Sequence, residues 1–309
     1  EFDGQQLIEI QGERDFPTEG NLDMTTVMIS GGPGRDITSA DVFAAIFDSS
    51  RDVVPRSLLY PEQTTREQVD DENQTLMDHS QMDAVAAALH EMGIDYTRKF
   101  VVQGFSDFTE ADGLLREEDE ILTAEGKDIS GVVGLRQQLA EIESDTIELG
   151  FLRDGEEKTA DVPIVTDEAG SRVIGVFLSN SYEFPFDVDV SLDDVGGPSA
   201  GLMFSLAIVD KLTPESLTGG KHFAGTGTID ADGTVGAIGG IPQKVVGAKE
   251  MGADYFLAPQ ENCEELSGRV PDGLTVIAVE KLSQARKIVE QIGESSNPEE
   301  LVDELPRCQ

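Results

Sequence analysis

Alternating apolar strands and helices between residues 172 and 292 restrict the fold of this chain more than any other part of its sequence. Short apolar runs such as Tyr255–Ala258 and Thr275–Val279 are typical of buried strands, whereas Pro198–Leu212 has the length and apolar content of a buried helix. Together with a β-rich stretch earlier in the chain, this order of elements predicts an α+β fold with mixed sheets and packed helices.

The remaining sequence divides into an N-terminal part, a β-rich middle and a tail. The longest helical pattern covers residues 66–92, and Thr38 offers a helix start upstream of it. Residues 97–166 contain short β runs around one helical stretch at about 131–142. With 309 residues, the chain is long enough for about two domains. We therefore predict boundaries after residues 96, 166 and 293, with a flexible acidic tail over 294–309.

The charge of the chain excludes several classes of partner. There are 61 acidic and 22 basic residues, which gives a formal net charge of −39. Such a surface repels the phosphate backbone of nucleic acids and the head groups of anionic lipids. Two interpretations stay open, a hydrated surface that keeps the protein in solution or a field that attracts cationic substrates. The sequence has no run of about 18 apolar residues and thus no candidate for a membrane-spanning helix.

The two cysteines, Cys263 and Cys308, are too few for a disulfide framework and lack the spacing of a zinc site. A bridge between them stays open, and two thiols do not identify a cellular compartment. The sequence therefore predicts neither a metal nor a cofactor.

Ser199 lies where a glycine-rich loop meets the predicted apolar helix. Gly197 permits a tight backbone turn, and Pro198 suits the first turn of a helix. The N–H groups at a helix start have no partner within the helix and lie at its positive end. An oxyanion that forms beside the Ser199 hydroxyl would find hydrogen-bond donors there. The same residues also fit a capped helix start in which the serine has no chemical role.

A histidine partner for Ser199 is difficult to find. Residues 197–201 satisfy the Gly-x-Ser-x-Gly pattern of α/β-hydrolases, but that site requires a buried strand before the serine and a histidine well after it. His222 is only 23 positions downstream (222 − 199), and His79 and His90 lie on the long predicted helix. We therefore do not favour a Ser-His-Asp triad.

Lys244 is the strongest candidate for a general base. It has apolar residues on both sides and lies in the first turn of a helix predicted to begin near Pro242. Burial disfavours the charged ammonium and the positive end of the helix repels it, so both lower its pKa toward the range of a base. Lys249 lies more than one turn later and lacks this placement. Taken alone, Lys244 also fits an ordinary helix lysine.

These two segments together resemble the catalytic domain of Lon proteases. The shared pattern is Gly-Pro-Ser-Ala-Gly at residues 197–201, then a strand, a turn, a strand, two glycines and Lys244 at a helix start, 45 positions after the serine (244 − 199). The resemblance covers about residues 170–290. Many Lon proteases carry an acidic residue just before this pattern, where Gly196 stands here, so the role of Asp194 stays open.

The resemblance assigns a role to each residue of the candidate site. It implies that Ser199 is the nucleophile and that Lys244 is its base. Thr226 falls where the family keeps a threonine that holds the lysine amine, and Gly197 and Pro198 shape the loop around the serine. A Ser-Lys dyad with these supporting residues is therefore the expected active site.

The β-rich middle resembles a PDZ domain. The resemblance implies a first strand and carboxylate loop at Phe100–Phe105 and a helix at Leu135–Ile142 that flanks a peptide groove. The Gly-Asp pair that usually precedes a strand appears here as Glu118-Asp119. PDZ domains bind C-terminal peptides by adding them as a strand to the edge of a sheet. A β-rich insert without any ligand is the alternative.

Together these parts resemble the PDZ-containing, membrane-anchored Lon-like proteases of bacteria. The resemblance implies a protease domain formed by residues 1–96 and 167–293, with the PDZ domain inserted at 97–166. Residues 20–27 resemble the first strand of that protease domain. It also implies a single membrane anchor before residue 1, an extracytoplasmic location and, as in many Lon domains, a homo-oligomeric ring.

The sequence lacks the Gly-x4-Gly-Lys-Ser/Thr loop of nucleotide-binding domains, since Gly219–His222 has neither the spacing nor the hydroxyl. We therefore expect an ATP-independent endopeptidase that hydrolyses unfolded or PDZ-delivered proteins without cofactor or metal. Two other functions stay open. One is a PDZ peptide-binding adaptor on a weakly active or inactive protease fold, and the other is a Ser-Lys amidase or esterase for small substrates.

Overall fold

The computed structural model describes residues 7–48, 50–60, 64–129, 132–167, 170–190, 192 and 195–308. The chain forms two compact units. The first unit is discontinuous and combines Glu1–Asp95 with Pro185–Gln309, whereas the second comprises Tyr96–Phe184. The mixture of helices with parallel and antiparallel strands confirms the predicted α+β class.

The N-terminal part of the first unit contains two short strands and three helices, and among the described residues only α3 of these helices has buried side chains. Both α1 and α3 begin with a capping box, in which Thr38 and Thr65 each accept the N–H of the residue three positions later. The long helix predicted at 66–92 is confirmed, and Gly93 follows it with a φ of +67°. The bounds in the described residues are β1 (Ile8–Gln11), β2 (Asn21–Met24), α1 (Ser39–Ile46), α2 (Arg56–Leu59) and α3 (Arg66–Glu91).

The second unit is a β-sheet with a helix. The bounds of its elements are β3 (Thr97–Phe105), β4 (Glu120–Ala124), β5 (Lys127–Asp128), α4 (Val132–Glu141), β6 (Thr146–Arg153), β7 (Glu156–Pro163), β8 (Val165–Thr166), β9 (Arg172–Val173) and β10 (Val176–Glu183). The strand order is β10-β3-β4-β6-β7, and β5 pairs with β4. Apolar residues of the sheet and of α4 form one core, which includes Leu115, Ile121, Leu139 and Ile147.

The end of the second unit corrects the predicted domain boundary. β10 runs antiparallel to β3, with Leu178 opposite Val102 and Tyr182 opposite Arg98. A boundary after residue 166 is therefore wrong, because the strand that completes this sheet follows it and the unit ends at Phe184. The apolar run at 173–178 indicated a strand, but an apolar run does not identify the sheet that the strand joins.

Two clusters stabilise the second unit. The Asp119 carboxylate is 1% exposed and accepts hydrogen bonds from Nε of Arg153 at 2.7 Å and from a second guanidinium nitrogen at 2.6 Å. At the ends of the unit, the rings of Tyr96 and Phe184 lie 5.6 Å apart, and Tyr182 contacts both of them. The aromatic contacts therefore hold the first and last residues of the unit together.

The C-terminal part of the first unit alternates strands and helices, as predicted. None of the helices in the described residues is both long and apolar enough to cross a bilayer. The bounds are β11 (Asp187–Val190), α5 (Gly201–Leu212), β12 (His222–Gly225), β13 (Thr228–Ile229), β14 (Val235–Gly236), α6 (Ile241–Glu250), β15 (Tyr255–Pro259), a 3₁₀ helix (Gln260–Leu266), β16 (Thr275–Val279), α7 (Leu282–Glu294) and α8 (Pro298–Val302).

A parallel sheet of order β16-β15-β12-β2 organises the first unit. Its edge strand β2 comes from the N-terminal part, with Asn21 opposite His222 and Met24 opposite Gly225. Helix α5 is buried along most of its length and bonds α3 through Ser205 Oγ, which donates to the carbonyl of Ala84 at 3.1 Å. Residues that precede the second unit in the sequence and residues that follow it thus share one sheet and one core.

The C-terminal residues differ from the predicted flexible tail. The backbone N–H of Cys308 donates to Val276 and that of Ala278 donates to Pro306, so the tail lies along the free edge of β16. Cys308 is buried and forms a disulfide with Cys263. An acidic composition with proline predicted disorder, but the disulfide and the edge of β16 supply partners that composition does not reveal.

Candidate active site

The loop before α5 is held by the long helix α3. Gly197 has a φ of +88°, which favours glycine, and its N–H donates to the carbonyl of Asn73 at 3.0 Å. Ser80 Oγ donates to the carbonyl of Pro198 at 3.1 Å. A Cβ on Gly196 would lie 2.7 Å from the side chain of Asn73, so this residue has no room for a side chain. The loop is therefore fixed by tight packing and by hydrogen bonds to α3.

Ser199 lies in the turn that precedes α5 rather than inside the helix. The helix was predicted to begin at Pro198, but it begins at Gly201 with Ala200 as its N-cap. The carbonyl of Ser199 accepts the N–H of Gly227 at 2.8 Å. The backbone of the serine is thus held by Gly227, in the short segment between β12 and β13. The serine side chain is half-buried and remains accessible.

Helix α6 positions Lys244 in its first turn, as predicted. Gly240 precedes the helix with a φ of +72°, and its carbonyl accepts the N–H of Lys244 at 3.1 Å. Ile241 and Val245 on either side are fully buried in the apolar core. Because this helix packs its apolar face inward, the lysine side chain is also buried, with 3% of its surface exposed.

The structure brings Lys244, Ser199 and Thr226 into direct contact. Lys244 Nζ lies 2.8 Å from Ser199 Oγ and 2.9 Å from Thr226 Oγ1. Thr226 Oγ1 in turn donates to the carbonyl of Ser199 at 2.9 Å. The Thr226 hydroxyl thus donates its proton to the Ser199 carbonyl and accepts a hydrogen bond from the Lys244 amine. These two bonds fix the orientation of the serine backbone and of the amine.

Burial lowers the pKa of Lys244 from its ordinary value of 10.5 to about 8. Desolvation is the cause, since the ammonium form loses hydration that the neutral amine does not need. No carboxylate among the described residues contributes to this pKa. Asp194, whose role the sequence left open, lies outside the described residues. A substantial fraction of the amine is therefore neutral near physiological pH and able to accept a proton.

The histidines of the chain do not contact Ser199 among the described residues. His222 Nε2 lies 2.6 Å from the Asp23 carboxylate, a pairing between β12 and β2. His79 and His90 lie on α3, as predicted, and both are exposed. The amine of Lys244, rather than an imidazole, is the basic group in contact with Ser199 among the described residues. No group of three or more potential metal ligands occurs in the part of the chain that the structure describes.

Sequence reasoning missed the contribution of Asn73 to the site. Asn73, Met77, Ser80 and Ala84 follow one another at intervals of four, three and four residues, which places them on one face of α3. Met77, Ser80 and Ala84 are buried and Asn73 is half-buried. Polar residues on the buried face of a helix were the available signal, since such groups require partners.

A groove of about 1490 Å³ in the first unit reaches Lys244. It is lined by the edge strand β2, by Thr25 and Thr26 after it, and by Met203 and Met251 from neighbouring helices. Because β2 is the last strand of its sheet, an extended polypeptide can lie along it. The groove thus extends from the edge strand β2 to helix α6, which carries Lys244.

The family comparison matches the part of the chain that carries this site. Residues 193–291 match the Lon protease (S16) C-terminal proteolytic domain. A Lon-type proteolytic domain is therefore present in the first unit, and it contains Ser199, Thr226 and Lys244.

Curated relatives point the same way. The chain is 39% identical over 87 residues to a mitochondrial Lon protease homologue of Debaryomyces hansenii, which covers 27% of this chain and 8% of that protein. It is 29% identical over 183 residues to Lon protease 2 of Herpetosiphon aurantiacus, which covers 56% of this chain and 22% of that protein. Lon protease 1 of Bacillus subtilis is 34% identical over 91 residues, 28% of this chain and 12% of that protein. The chain thus spans at most 22% of these three relatives, and the similarity supports serine protease function for the domain.

Among solved structures, two PDZ domains of SdrC-like proteins are similar to part of the chain. The domain from Listeria monocytogenes has 20% sequence identity and a TM-score of 0.24, and it covers 26% of this chain and 85% of that chain. The domain from Listeria innocua has 17% identity and a TM-score of 0.25, and it covers 26% of this chain and 92% of that chain.

Proposed function

We propose that this protein is an ATP-independent serine endopeptidase in which Lys244 acts as the general base for Ser199. The observation that carries the proposal is the 2.8 Å contact between Lys244 Nζ and Ser199 Oγ, made by an amine whose pKa burial has lowered to about 8. A serine hydroxyl is a weak nucleophile unless an adjacent base removes its proton. The buried amine is the group in contact that can do so.

The reaction proceeds in two steps with Lys244 carrying the proton. The neutral amine takes the proton of Ser199 as Oγ bonds to the peptide carbonyl carbon, and the carbonyl oxygen becomes an oxyanion. The ammonium then protonates the leaving nitrogen, the C–N bond breaks, and an acyl-enzyme remains. Water attacks this ester as the amine takes its proton, the ester bond breaks, and the proton returns to Ser199 Oγ.

The neighbouring groups position the reacting atoms. Thr226 holds the amine toward the serine through its 2.9 Å contact with Nζ. Gly197 and Pro198 shape a loop in which the backbone N–H groups of Ser199 and Ala200 can receive the oxyanion. Donors fixed before the reaction stabilise charge as it develops, without reorganisation at the moment of attack.

The second unit is proposed to deliver substrates as a PDZ domain. β10 is the edge strand of its sheet, and α4 contributes Leu135 and Leu139 to the same core. A peptide that adds to the free edge of β10 would be held by main-chain hydrogen bonds. The strand at Phe100–Phe105, which the resemblance gave as the first strand and carboxylate loop, lies between β10 and β4 and has both edges paired. Equal affinities of the whole protein for peptides with free and amidated C-termini would exclude this role.

ATP independence is proposed from the absence of a nucleotide loop in the sequence. Gly219–His222, the segment nearest to such a loop, has a structural use instead. Lys221 Nζ donates to the carbonyls of Gly293 and Ser295 at the end of α7, where a cation is favourable. Proteolysis should therefore be the same with and without ATP and Mg²⁺.

We also propose an extracytoplasmic location, with a membrane anchor outside residues 1–309. The disulfide between Cys263 and Cys308 supports it, because structural disulfides persist in oxidising compartments. Fractionation of cells that express the full-length gene, combined with thiol labelling, tests both parts. A cytosolic protein with two free thiols would contradict the proposal.

The decisive experiment uses an unstructured protein substrate and the single variants Ser199→Ala and Lys244→Ala. Loss of the general base should lower kcat by about 10²- to 10⁴-fold, and loss of the nucleophile by at least as much. Parental rates in either variant would exclude the dyad. An inert parent that binds peptides tightly would favour the adaptor, and turnover of esters but not peptides would favour an esterase.

A further inference from the structure

The segment of residues 27–59 exposes an unusual amount of apolar surface. Eleven of the seventeen exposed large hydrophobic residues among the described residues lie in it. Five of them have at least 65% of their surface exposed: Met28, Phe43, Ile46, Phe47 and Leu58. Exposed apolar residues concentrated in one segment in this way indicate an interaction site. We call residues 27–59 the apolar segment.

The apolar segment is folded rather than merely extended. Its helix α1 begins with a full capping box at Thr38 and Asp41. The rings of Phe43 and Phe47 contact each other edge to face at 5.1 Å. None of the residues of α1 is buried, and only Val42 and Ala45 among its apolar residues are half-buried, so the helix has its local stabilisation but little packing in this structure. A short helix gains most of its stability from packing. The apolar face of α1 is therefore a candidate surface for binding another molecule.

Two residues of the apolar segment, Val27 and Asp52, contact the start of α6, the helix that carries Lys244. At one end Val27 packs on Gly240, where a Cβ would lie 2.9 Å from Val27 Cγ2. Near the other end Asp52 accepts a hydrogen bond from Gln243 Nε2 at 2.6 Å. The segment also continues directly from Thr26, which lines the groove that reaches Lys244. The apolar segment therefore begins at the residue after the groove lining and contacts the start of the helix that carries Lys244.

Charge selects among the molecules that could cover this surface. The apolar segment contains three arginines and four aspartates, a net charge of −1 in a chain of −39. A second copy of the chain brings another −39, and an anionic bilayer is repelled in the same way. A flexible polypeptide that has apolar residues and no excess of acidic residues is not repelled in this way. This chemistry is also that of a stretch exposed by an unfolded protein.

We propose that the apolar segment docks an apolar, non-acidic stretch of the polypeptide substrate while a neighbouring peptide bond lies at Ser199. The inference rests on the proposed function and deepens it, because it names the feature that the protease domain itself recognises. Recognition by this surface is separate from any peptide captured by the second unit.

Binding is measured with Ser199→Ala protein, so that the result does not depend on cleavage. Two fluorescent peptides share one central sequence, and their flanks are rich either in Leu and Phe or in Ser and Gly. The apolar-flanked peptide should bind at least tenfold more tightly, and Phe43→Gln with Phe47→Gln should remove this preference, since one buried aromatic ring supports about a tenfold effect. Leu76→Gln with Met82→Gln, two exposed apolar residues on α3, is the matched control and should keep the preference.

The outcomes are distinguishable. An unchanged preference in the Phe43/Phe47 variant, or no binding of either peptide, overturns the inference. Failure of the proposed function appears separately, as a parent that binds peptides but cleaves neither. If the variant instead converts a sedimenting oligomer to a monomer, or loses binding to phosphatidylcholine vesicles, with peptide affinity unchanged, the surface belongs to a second copy or to lipid and the inference is overturned. Circular dichroism checks that the variants are folded.

Discussion

Replacing Lys244 by methionine should abolish proteolysis and make the protein relatively more stable at neutral pH than at high pH. Burial lowers the pKa of this amine from 10.5 to about 8. The difference of about 2.5 pH units corresponds to about 3 kcal/mol, at about 1.36 kcal/mol per unit. Methionine has a similar length and no charge to desolvate, so it removes this cost. It also removes the contacts to Ser199 and Thr226, which contribute about 1 kcal/mol each.

The direction of the pH dependence follows from where the proton is bound. Between pH 8 and 10.5 the unfolded chain holds a proton on Lys244 that the folded protein has lost, so the stability of the parent rises with pH. Below about pH 8 both states hold the proton, and the folded state carries the full cost of a buried ammonium. The methionine variant lacks this dependence. The parent should therefore gain about 3 kcal/mol relative to the variant between pH 7 and 10.5.

Chemical denaturation followed by circular dichroism, at several pH values from 7 to 10.5, measures this difference. Lys249→Met on the same helix is the matched control. It also removes one positive charge, but the Lys249 amine donates to the carbonyl of Gly273 at an exposed position. It corrects for the general effect of charge loss in an acidic protein. A parent-minus-variant difference for Lys244→Met that stays constant over this interval would refute the reasoning that burial lowers the pKa.

Three further predictions follow from the site and the disulfide. With a base whose pKa is about 8, kcat/KM should rise about tenfold from pH 7 to pH 9, as the neutral fraction grows from about 9% to about 91%; a flat profile contradicts this. Thr226→Val should lower kcat about tenfold or more with little change in KM, and Thr226→Ser should retain most activity in steady-state assays. Replacing Cys263 and Cys308 by serine should lower the free energy of unfolding by up to about 4 kcal/mol, since the bridge closes a loop of 45 residues; unchanged denaturation midpoints would contradict it.

The contact between Ser199 and Lys244 was predictable because each residue has a local signature. A glycine-rich loop before an apolar helix marks the serine, and apolar neighbours at a helix start mark the lysine. The same local reasoning set the start of α5 three residues early, since the turn that holds Ser199 depends on Gly227 rather than on helix propensity. Tertiary hydrogen bonds of this kind leave no trace in a sequence window.

Features that depend on distant partners were not predictable. The pairing of β10 with β3 joins residues about 80 positions apart, and the tail is ordered by Cys263 and by the edge of β16. The apolar residues of α1 have the pattern of a core helix, yet none of them is buried and Phe43 and Ile46 are largely exposed. Periodicity reports that a face is apolar, but it does not report what covers that face.

The aromatic contacts between Tyr96, Tyr182 and Phe184 have a consequence for the history of the molecule. Because the first and last rings of the second unit lie 5.6 Å apart, the chain enters and leaves this unit of 89 residues (96 to 184) at one place. Loop-closure entropy then depends little on the size of the insert. We therefore expect that recombination between Asp95 and Pro185 can lengthen or exchange the second unit while the hydrogen bonds around Ser199 are kept, so that the two units can change in sequence at separate rates.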